Sequence, residues 1–358
     1  MSLLLSPITL RDVTIRNRVW VAPMCQYSAV DGLPNDWHLV HLGSFARGGA
    51  GLVLTEATAV VPEGRISPED TGLWNEEQQV AWARIVDFVH AQGATAGIQL
   101  AHAGRKASTY SGFTAEHGGV PDTDGGWQPL GPSALPFPGL REDVAALDLA
   151  GVQRVVSAFG DAAERAIAAG FDVLEVHAAH GYLLHEFLSP LSNQRDDEYG
   201  GSFDHRVRLL LEVVREVRGG VAATVPVLVR LSATDWVEGG WTDDDTVRLS
   251  ALLRAEGVDL VDVSSGGNAP ARIDARPGYQ VPFARRVRTE AGIASGAVGL
   301  ITEPKQAEEI LTEGSAEVIL LGRELLRDPH WPLRAAYELG DTDATDLLWP
   351  APYRRAAR

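Results

Sequence analysis

Short, continuously apolar runs alternate along this chain with longer stretches in which apolar residues recur every three or four positions. The short runs are rich in β-branched residues, as expected for strands that are buried on both faces of a parallel sheet. The longer stretches have the period of amphipathic helices. We predict eight strands, at Val19 to Met24, Gly51 to Ala57, Ala94 to Ala101, Phe171 to Ala178, Val225 to Ser232, Val258 to Ser265, Ala294 to Ile301 and Glu317 to Arg323.

A helix is predicted after each of these strands. Eight strand–helix units favour an α/β fold of the (β/α)8 or TIM-barrel type, formed by residues 1–358 as a single domain. Two α/β domains joined near residues 130–150 are the alternative, but no glycine-rich dinucleotide motif follows any strand. The predicted helices are Trp37 to Arg47, Asn75 to Gln92, Ala150 to Ala169, Phe203 to Arg218, Thr242 to Glu256, Val281 to Ala291, Glu303 to Glu313 and Glu324 to Leu339.

Two segments fall outside the alternation. The opening SPITLRDVTIRN has turn residues between two short β-like pieces, which predicts a hairpin that closes the bottom of the barrel. Residues 104–149, after the third strand, are dense in Gly and Pro. Long irregular loops in compact domains are usually functional, so we predict a lid over the site, with a surface insertion of no role as the alternative. Residues 340–358 are predicted to form a C-terminal tail.

Charge and cysteine content exclude several classes of protein. The net charge of -17 disfavours a nucleic-acid partner or an anionic membrane surface. Cys25 is the only cysteine, which excludes an internal disulfide, a cysteine-built zinc site and a cysteine-bound iron–sulfur cluster. No apolar run reaches the ~18 residues of a membrane span. We therefore expect a cytoplasmic protein with no membrane or nucleic-acid partner.

All eight predicted strands end in polar or small residues, whereas their interiors are apolar. A barrel of this type places its chemistry at the carboxyl ends of its strands, so these ends predict one site. The residues at or just beyond the strand ends are Ala22, Pro23, Met24, Cys25, Tyr27, Glu56, Ala57, Gln99, His102, Arg105, Lys106, His177, His180, Tyr182, Arg230, Ser232, Ser264, Ser265, Gly266, Gly296, Gly299, Gly322 and Arg323.

Five of these residues indicate the ligand. Gly299 and the adjacent pair Gly322 and Arg323 suit a phosphate that is held by backbone N–H groups and a guanidinium, although either glycine alone would indicate only a turn. Arg230 ends an apolar strand, where a charge is costly unless it meets an anion or an electron-rich ring. Gln99, also predicted to be buried, needs an amide or imide partner. A phosphate, an imide edge and a buried guanidinium together describe flavin mononucleotide (FMN).

Several segments resemble the Old Yellow Enzyme family, specifically its thermophilic-like branch of xenobiotic reductases and bacterial NADPH dehydrogenases. The resemblance covers nearly the whole chain, and its most specific motifs are HAAHGY, at 177–182, and LSNQRDDEYGGS, at 191–202. Further matches are APMCQYSA, GIQLAHAGRKAS, GRELLRDPHW and APYRR. It implies a TIM-barrel, FMN-dependent ene reductase that is reduced by NADPH or NADH and then reduces activated alkenes such as enones, maleimides and nitroalkenes.

The resemblance also implies a role for individual residues. Ala22, Pro23, Met24 and Cys25 line the flavin ring, and Cys25 tunes its redox potential, with a small buried hydrophobic residue as the alternative reading of Cys25. Ala57 and Gln99 lie at the ring's polar edge, Arg230 stabilises the anionic reduced flavin, and Gly299, Gly322 and Arg323 belong to the phosphate end.

On the substrate side, the resemblance implies that His177 and His180 hold the substrate carbonyl oxygen and that Tyr182 donates a proton. Tyr27 borders the substrate pocket. Arg355, or else Arg354, reaches into the site of a neighbouring subunit, which implies a homodimer or homotetramer; a frayed basic tail is the alternative.

Two other classes of function stay open at this stage. His177 and His180 could ligate the metal of a barrel hydrolase, although the sequence offers no convincing third ligand. Lys106, one of two lysines, could serve a Schiff-base lyase, or the chain could be a non-catalytic binding protein.

Overall fold

The structure is a computed structural model that describes residues 2–357, except for the side chains of residues 345–347. All eight predicted strands are present, and each is shorter than or close to its predicted run. In chain order the strands are β1 (Ile8–Leu10), β2 (Val13–Ile15), β3 (Val19–Val21), β4 (Leu52–Ala59), β5 (Thr95–Ala101), β6 (Leu130–Gly131), β7 (Ala145–Ala146), β8 (Val173–Ala178), β9 (Val227–Ser232), β10 (Leu260–Ser264), β11 (Ala294–Ala297) and β12 (Val318–Leu321).

Eight of these strands form a closed barrel in the order β3-β4-β5-β8-β9-β10-β11-β12. Each pairs with its neighbours in parallel, and the ring closes where β12 pairs with β3. The pairing of Val19 with Ile319 at this closure joins residues 300 positions apart. The predicted (β/α)8 barrel is therefore confirmed.

Helices surround the barrel. No helix in residues 2–357 is long and apolar enough to cross a membrane. In chain order the α-helices are α1 (Asp36–Arg47), α2 (Glu76–Ala91), α3 (Leu149–Ala168), α4 (Leu183–Leu188), α5 (Phe203–Arg206), α6 (Arg208–Gly220), α7 (Asp243–Ala255), α8 (Val281–Arg286), α9 (Pro304–Thr312), α10 (Arg323–Arg327), α11 (Trp331–Glu338) and α12 (Thr342–Leu348).

Two predicted helices are wrong in their continuity. The helix expected over Phe203 to Arg218 is divided between α5 and α6. The one expected over Glu324 to Leu339 is divided between α10 and α11. α10 ends at Arg327, because Asp328 precedes Pro329 and a residue before proline is driven out of the helical conformation. The short helix α4, which begins immediately after Tyr182, was not predicted.

The predicted N-terminal hairpin is confirmed. β1 and β2 pair in antiparallel fashion, and Ile8, Leu10 and Ile15 join an apolar cluster inside the barrel. This cluster also contains Trp20, Leu52, Leu54, Val173, Leu228, Leu260, Val318 and Leu320 from the barrel strands. The hairpin thus excludes water from the N-terminal end of the barrel, which we call the bottom.

The 104–149 loop leaves β5 at the opposite end. It is less irregular than expected, since it contains 3-10 turns at Gly104–Lys106 and Asp122–Asp124 and a two-stranded parallel sheet of β6 and β7. The indole N–H of Trp127 donates to the carbonyl oxygen of Glu63 at 2.9 Å, which fixes the loop to the segment after β4.

Candidate active site

The carboxyl ends of five barrel strands and the loop above them surround a cavity of about 360 Å³, which we call the ring cavity. Nine of its lining residues are predicted site residues, and the tenth, Phe113, comes from the 104–149 loop. Phe113 packs edge-on against Tyr27, with ring centroids 5.7 Å apart. The lining residues are Pro23, Cys25, Tyr27, Ala57, Gln99, Phe113, His177, His180, Tyr182 and Arg230.

The two histidines and Tyr182 form one aromatic group at the end of β8. The His177 ring centroid lies 5.3 Å from that of His180 and 5.2 Å from that of Tyr182. His180 has a left-handed backbone, with φ 59°. Its N–H donates to the Ser232 hydroxyl at 2.9 Å, and its Nε2 lies 2.7 Å from the Ser264 hydroxyl.

These three side chains are uncharged at neutral pH. Burial, followed by the nearby Arg230 cation, lowers the pKa of both His177 and His180 well below 6.5. Burial and the neighbouring Cys25 raise the pKa of Tyr182 well above 10. The cavity therefore presents two neutral imidazoles and a protonated phenol.

Gly181 allows the segment between His180 and Tyr182 to touch the loop after β10. Its φ is 71°, and a Cβ atom there would lie 2.3 Å from the Gly267 carbonyl oxygen, so any other residue would separate the two loops. The Gly181 N–H donates to His185 Nδ1 at 2.9 Å, and His185 Nε2 lies 3.1 Å from an Asp235 carboxylate oxygen. The buried pair of His185 and Asp235 thereby anchors the segment that carries Tyr182.

Lys106 joins the same two loops. Its ammonium group donates to the carbonyl oxygens of His180 (2.8 Å) and Gly267 (3.1 Å), and it lies 4.7 Å from the Tyr182 ring centroid. Burial lowers the pKa of Lys106 to about 8. A nucleophilic amine needs a free lone pair, and an ammonium that donates to two carbonyls does not provide one, so the geometry gives no support to a Schiff-base role.

Gln99 and Arg230 are both buried, as predicted, but each already has a carboxylate partner. The Gln99 amide NH2 donates to Glu175 Oε1 at 2.7 Å. Arg230 Nε lies 2.7 Å from Asp262 Oδ2. The protein therefore supplies, through Asp262, an anion of the kind that Arg230 was expected to meet, and this role of Asp262 was not predicted.

Cys25 and Tyr27 lie on a segment that is held from below. Glu56 accepts the N–H of Gln26 at 3.0 Å and lies 3.1 Å from His38 Nε2. Burial, followed by the nearby Asp70, raises the pKa of Cys25 well above 9. Cys25 is therefore a neutral thiol that faces the ring cavity.

A second cavity, of about 250 Å³, lies at the carboxyl ends of β11 and β12 and contains Gly299, Gly322 and Arg323. We call it the phosphate cavity. Gly299 has a φ of 121°, and its N–H and that of Leu300 find no acceptor within residues 2–357. Arg323 is exposed and makes no ion pair with a described residue. Free N–H donors beside an unpaired guanidinium suit an anion.

Ala22 and Met24 lie between the two cavities. A Cβ atom built on Gly322 would lie 3.6 Å from Met24 Sδ and 4.0 Å from Ala22 Cβ. The segment from Ala22 to Cys25 therefore contacts Gly322 of the phosphate cavity and, through Pro23 and Cys25, lines the ring cavity.

Arg355 lies apart from both cavities. It belongs to the 3-10 segment Ala351–Ala356, is exposed, and donates from Nε to the Pro352 carbonyl oxygen at 3.2 Å. Arg354 is equally exposed. A role in a neighbouring subunit's site stays a prediction.

The histidine pair lacks the neighbours that a metal site needs. Among residues 2–357, no three His, Cys, Asp or Glu side chains come together in an arrangement that could hold a metal ion. The geometry therefore gives no support to the metal-dependent hydrolase.

Comparisons with known proteins agree over nearly the whole chain. A model described as the NADH:flavin oxidoreductase / NADH oxidase family, an FMN-dependent family, matches residues 3–342. A protein of Geobacillus thermodenitrificans named NADPH dehydrogenase is 48% identical over 362 residues, covering 100% of this chain and 99% of the relative. Another NADPH dehydrogenase, from Listeria innocua, is 46% identical over 358 residues, covering 99% of each protein.

Solved structures show the same barrel. Morphinone reductase in complex with tetrahydroNAD matches with a TM-score of 0.78 and 28% identity over 96% of this chain and 93% of its own. The old yellow enzyme homologue from Zymomonas mobilis matches with a TM-score of 0.78 and 27% identity over 94% of this chain and 92% of its own. These neighbours and the named relatives confirm the predicted resemblance, the FMN cofactor and the nicotinamide reductant.

The residues present fit FMN. The Gln99 amide oxygen and the terminal nitrogens of Arg230 bind no side chain or backbone group within residues 2–357, and both residues face the ring cavity. The free N–H groups and the unpaired Arg323 of the phosphate cavity suit its phosphate. Family, fold and cavities agree: the chain belongs to the NADH:flavin oxidoreductase / NADH oxidase family.

Proposed function

We propose that this protein is an ene reductase. Reduced nicotinamide would reduce the bound FMN, and FMN would then reduce the C=C bond of α,β-unsaturated carbonyls, maleimides or nitroalkenes. The observation that carries the proposal is the aromatic group of His177, His180 and Tyr182, which brings two neutral imidazoles and a protonated phenol into the ring cavity.

The histidine pair would bind the carbonyl or nitro oxygen of the substrate. FMN, when bound, supplies the hydride that is added to the β-carbon. Negative charge then develops on the substrate oxygen, and N–H donors that are fixed in advance stabilise it. If the Ser264 hydroxyl donates to Nε2, the neutral His180 carries its proton on Nδ1.

Tyr182 would complete the reduction by donating its proton to the α-carbon. Its raised pKa keeps the phenol protonated until the enolate-like charge forms, which is the state that a general acid requires. The Lys106 ammonium, 4.7 Å from the Tyr182 ring centroid, then reduces the cost of the phenolate that is left.

Cofactor binding would use the two cavities together. Gln99 and Arg230 would hold the polar edge of the ring, Ala57 would lie beside this edge, and Ala22, Pro23, Met24 and Cys25 would line the ring. The phosphate would lie against Gly299, Gly322 and Arg323 in the phosphate cavity.

The remaining assignments concern the substrate pocket. Tyr27, in contact with Phe113, would form its outer wall, so the 104–149 loop would act as a lid. Arg355 of one subunit would reach the pocket of the next, in a homodimer or homotetramer. NADPH or NADH would occupy the same pocket as the alkene, since both must reach one ring.

Anaerobic stopped-flow measurements test this function. We expect the purified protein to bind FMN. Addition of NADPH or NADH should then bleach the flavin absorbance, and addition of an enone or maleimide should restore it. Because both substrates share one cavity, double-reciprocal plots should be parallel lines. A flavoprotein that nicotinamide reduces but that no enone, maleimide or nitroalkene reoxidises would contradict the ene reductase assignment.

A further inference from the structure

Two carboxylates lie inside the barrel, next to the residues that we place against the flavin. Glu175 is on β8 and Asp262 is on β10, and neither is exposed to solvent. Glu175 Oε1 accepts a hydrogen bond from Gln99, and Asp262 Oδ2 lies 2.7 Å from Arg230 Nε. Glu175 Oε2 and both carboxylate oxygens of Asp262 have no hydrogen-bond partner among the described residues, so Asp262 meets Arg230 as an ion pair without an aligned hydrogen bond.

This group contains one cation and two acids, so its charges cannot all be paired. An unpaired buried charge is strongly destabilising, because the protein does not replace the solvation that the charge has in water. Asp262 has the direct contact with the guanidinium, whereas Glu175 contacts only the neutral amide of Gln99. The proton therefore belongs on Glu175. Burial raises the pKa of both carboxyl groups. The charge of Asp262 adds to the rise of the pKa of Glu175, whereas the contact with Arg230 opposes the rise of the pKa of Asp262, in agreement with this placement.

We propose that Glu175 is an un-ionised carboxylic acid that positions Gln99, and that Asp262 is the single anion of the group and positions Arg230. This inference rests on the proposed placement of both residues at the flavin. With its NH2 group bound to Glu175, the Gln99 amide turns its oxygen to the ring cavity, where it can accept the imide N–H of the flavin.

The charge assignment has a consequence for reduced flavin. Arg230 and Asp262 together are neutral, and His177, the register neighbour of Arg230, is uncharged. An ionised Glu175 would add a negative charge next to the ring and disfavour the anionic reduced cofactor. A protonated Glu175 leaves the charge of Arg230 opposed only by Asp262.

Three variants of the holoenzyme separate position from charge. Glu175→Gln keeps an acceptor oxygen and no charge, so the FMN dissociation constant should change less than ~2-fold and the midpoint potential should stay unchanged. Glu175→Leu leaves the Gln99 NH2 group without a partner and should weaken FMN binding ~10-fold. Asp262→Asn removes the negative charge that opposes Arg230. The flavin midpoint potential should therefore rise, and the affinity for reduced FMN relative to that for oxidised FMN should increase ~10-fold.

The matched control is Glu186→Gln, which changes an equally buried carboxylate whose hydrogen bond is to the Arg105 N–H and not to Gln99. It should leave the midpoint potential unchanged. A rise in potential for Glu175→Gln as large as that for Asp262→Asn would show that Glu175 is ionised. Unchanged FMN binding in Glu175→Leu would show that Glu175 does not position Gln99.

Infrared spectroscopy gives a second test that needs no flavin. The wild-type spectrum should contain one more carbonyl band of an un-ionised carboxyl group than the Glu175→Gln spectrum at pH 7. Identical bands in the two proteins would overturn the proposal even if Glu175→Leu does not fold. Failure of the wild-type protein to bind FMN would contradict the proposed function instead, and the infrared comparison would still decide the state of Glu175.

Discussion

The two ends of the barrel are built from the same eight strands but have opposite chemistry. β8 shows the contrast within six residues, since Val173 packs in the apolar cluster at the bottom, whereas Glu175 and His177 are polar and buried near the top. The cluster at the bottom is apolar throughout, whereas several buried polar atoms at the top have no hydrogen-bond partner among the described residues.

The unpartnered polar atoms lower the free energy of unfolding at the top of the barrel. Unsatisfied buried polar groups each cost ~1–3 kcal/mol, and His177 Nδ1 and Glu175 Oε2 are two such atoms at the top. The bottom has contacts that stabilise the fold but take no part in the proposed chemistry. Substitutions at the top should therefore change reaction rates and affinities, and those at the bottom should change stability alone.

The largest effect is expected at the top. Tyr182→Phe removes the proposed proton donor and should slow flavin reoxidation by an enone ~10²–10⁴-fold, the usual contribution of a general acid. Flavin reduction by nicotinamide needs no such proton and should change little. Stopped-flow traces of the two half-reactions measure both rates, with the exposed Tyr337→Phe as control. Equal slowing of the two half-reactions would contradict the assignment.

The matching change at the bottom is Ile15→Ala. Ile15 is fully buried between the hairpin and the barrel, so its truncation should lower the free energy of unfolding by ~2–5 kcal/mol. Urea unfolding measures this loss. Thr14→Ala changes an exposed residue of the same hairpin and should cost less than ~0.5 kcal/mol. If Ile15→Ala altered the half-reactions of folded holoenzyme, the two ends would not be independent.

His177→Ala should have a smaller effect, confined to ligands. Loss of one N–H donor to the substrate oxygen should weaken binding of a phenol or an enone by ~1–3 kcal/mol, or about 5- to 150-fold. FMN should stay bound. Titration of the flavin spectrum with a phenol measures this affinity, and His117→Ala, an exposed substitution in the loop, is the control. Release of FMN would mean that His177 supports the cofactor instead.

The smallest expected effect is a change in the free energy of unfolding with pH, caused by two buried acids at the top. Burial raises the pKa of both Asp70 and Glu186 to about 8. Between pH 6.5 and 8 the unfolded chain has released these protons and the folded protein keeps them, so stability falls as pH rises, by at most ~1.4 kcal/mol per unit for each group.

Thermal unfolding of flavin-free protein across this range measures the decline. Asp70→Asn should flatten it by the share of one group, whereas Asp122→Asn, at an exposed position, should not. A stability that rose from pH 6.5 to 8 would contradict the assignment of these acids.

The sequence predicted the barrel because each strand is a continuous apolar run, a pattern that survives changes in local geometry. It predicted the end of the β11 strand less well: the run to Ile301 is apolar, but the backbone turns at Gly299 and Leu300, with φ values of 121° and 53°. Apolar content does not report where backbone pairing stops, so the end of β11 was placed too late and that of β4, at Ala59, too early.

Most of the predicted site residues line one of the two cavities, but the buried residues that hold them in place were not predicted. Arg230 was identified as a charge that needs an anion, yet the same signal, a charged residue inside an apolar strand, was present at Glu175 and Asp262 and was not used. Phe113 could not have been assigned, because an aromatic residue in a long loop has no periodicity that fixes its position. Its contact with Tyr27 is a tertiary one.

The closure of the barrel between β3 and β12 has a consequence for the time course of folding. The Val19–Ile319 pair joins the first barrel strand to the last, and the N–H groups of Leu3 and Leu4 donate to Glu308 at 2.9 and 2.7 Å. Contacts between such distant positions form slowly. During synthesis, β3 emerges from the ribosome almost 300 residues before its partner strand β12. Until β12 pairs with it, β3 presents an open edge to other nascent chains. We expect the yield of active protein to depend on the rate of this closure more than on equilibrium stability.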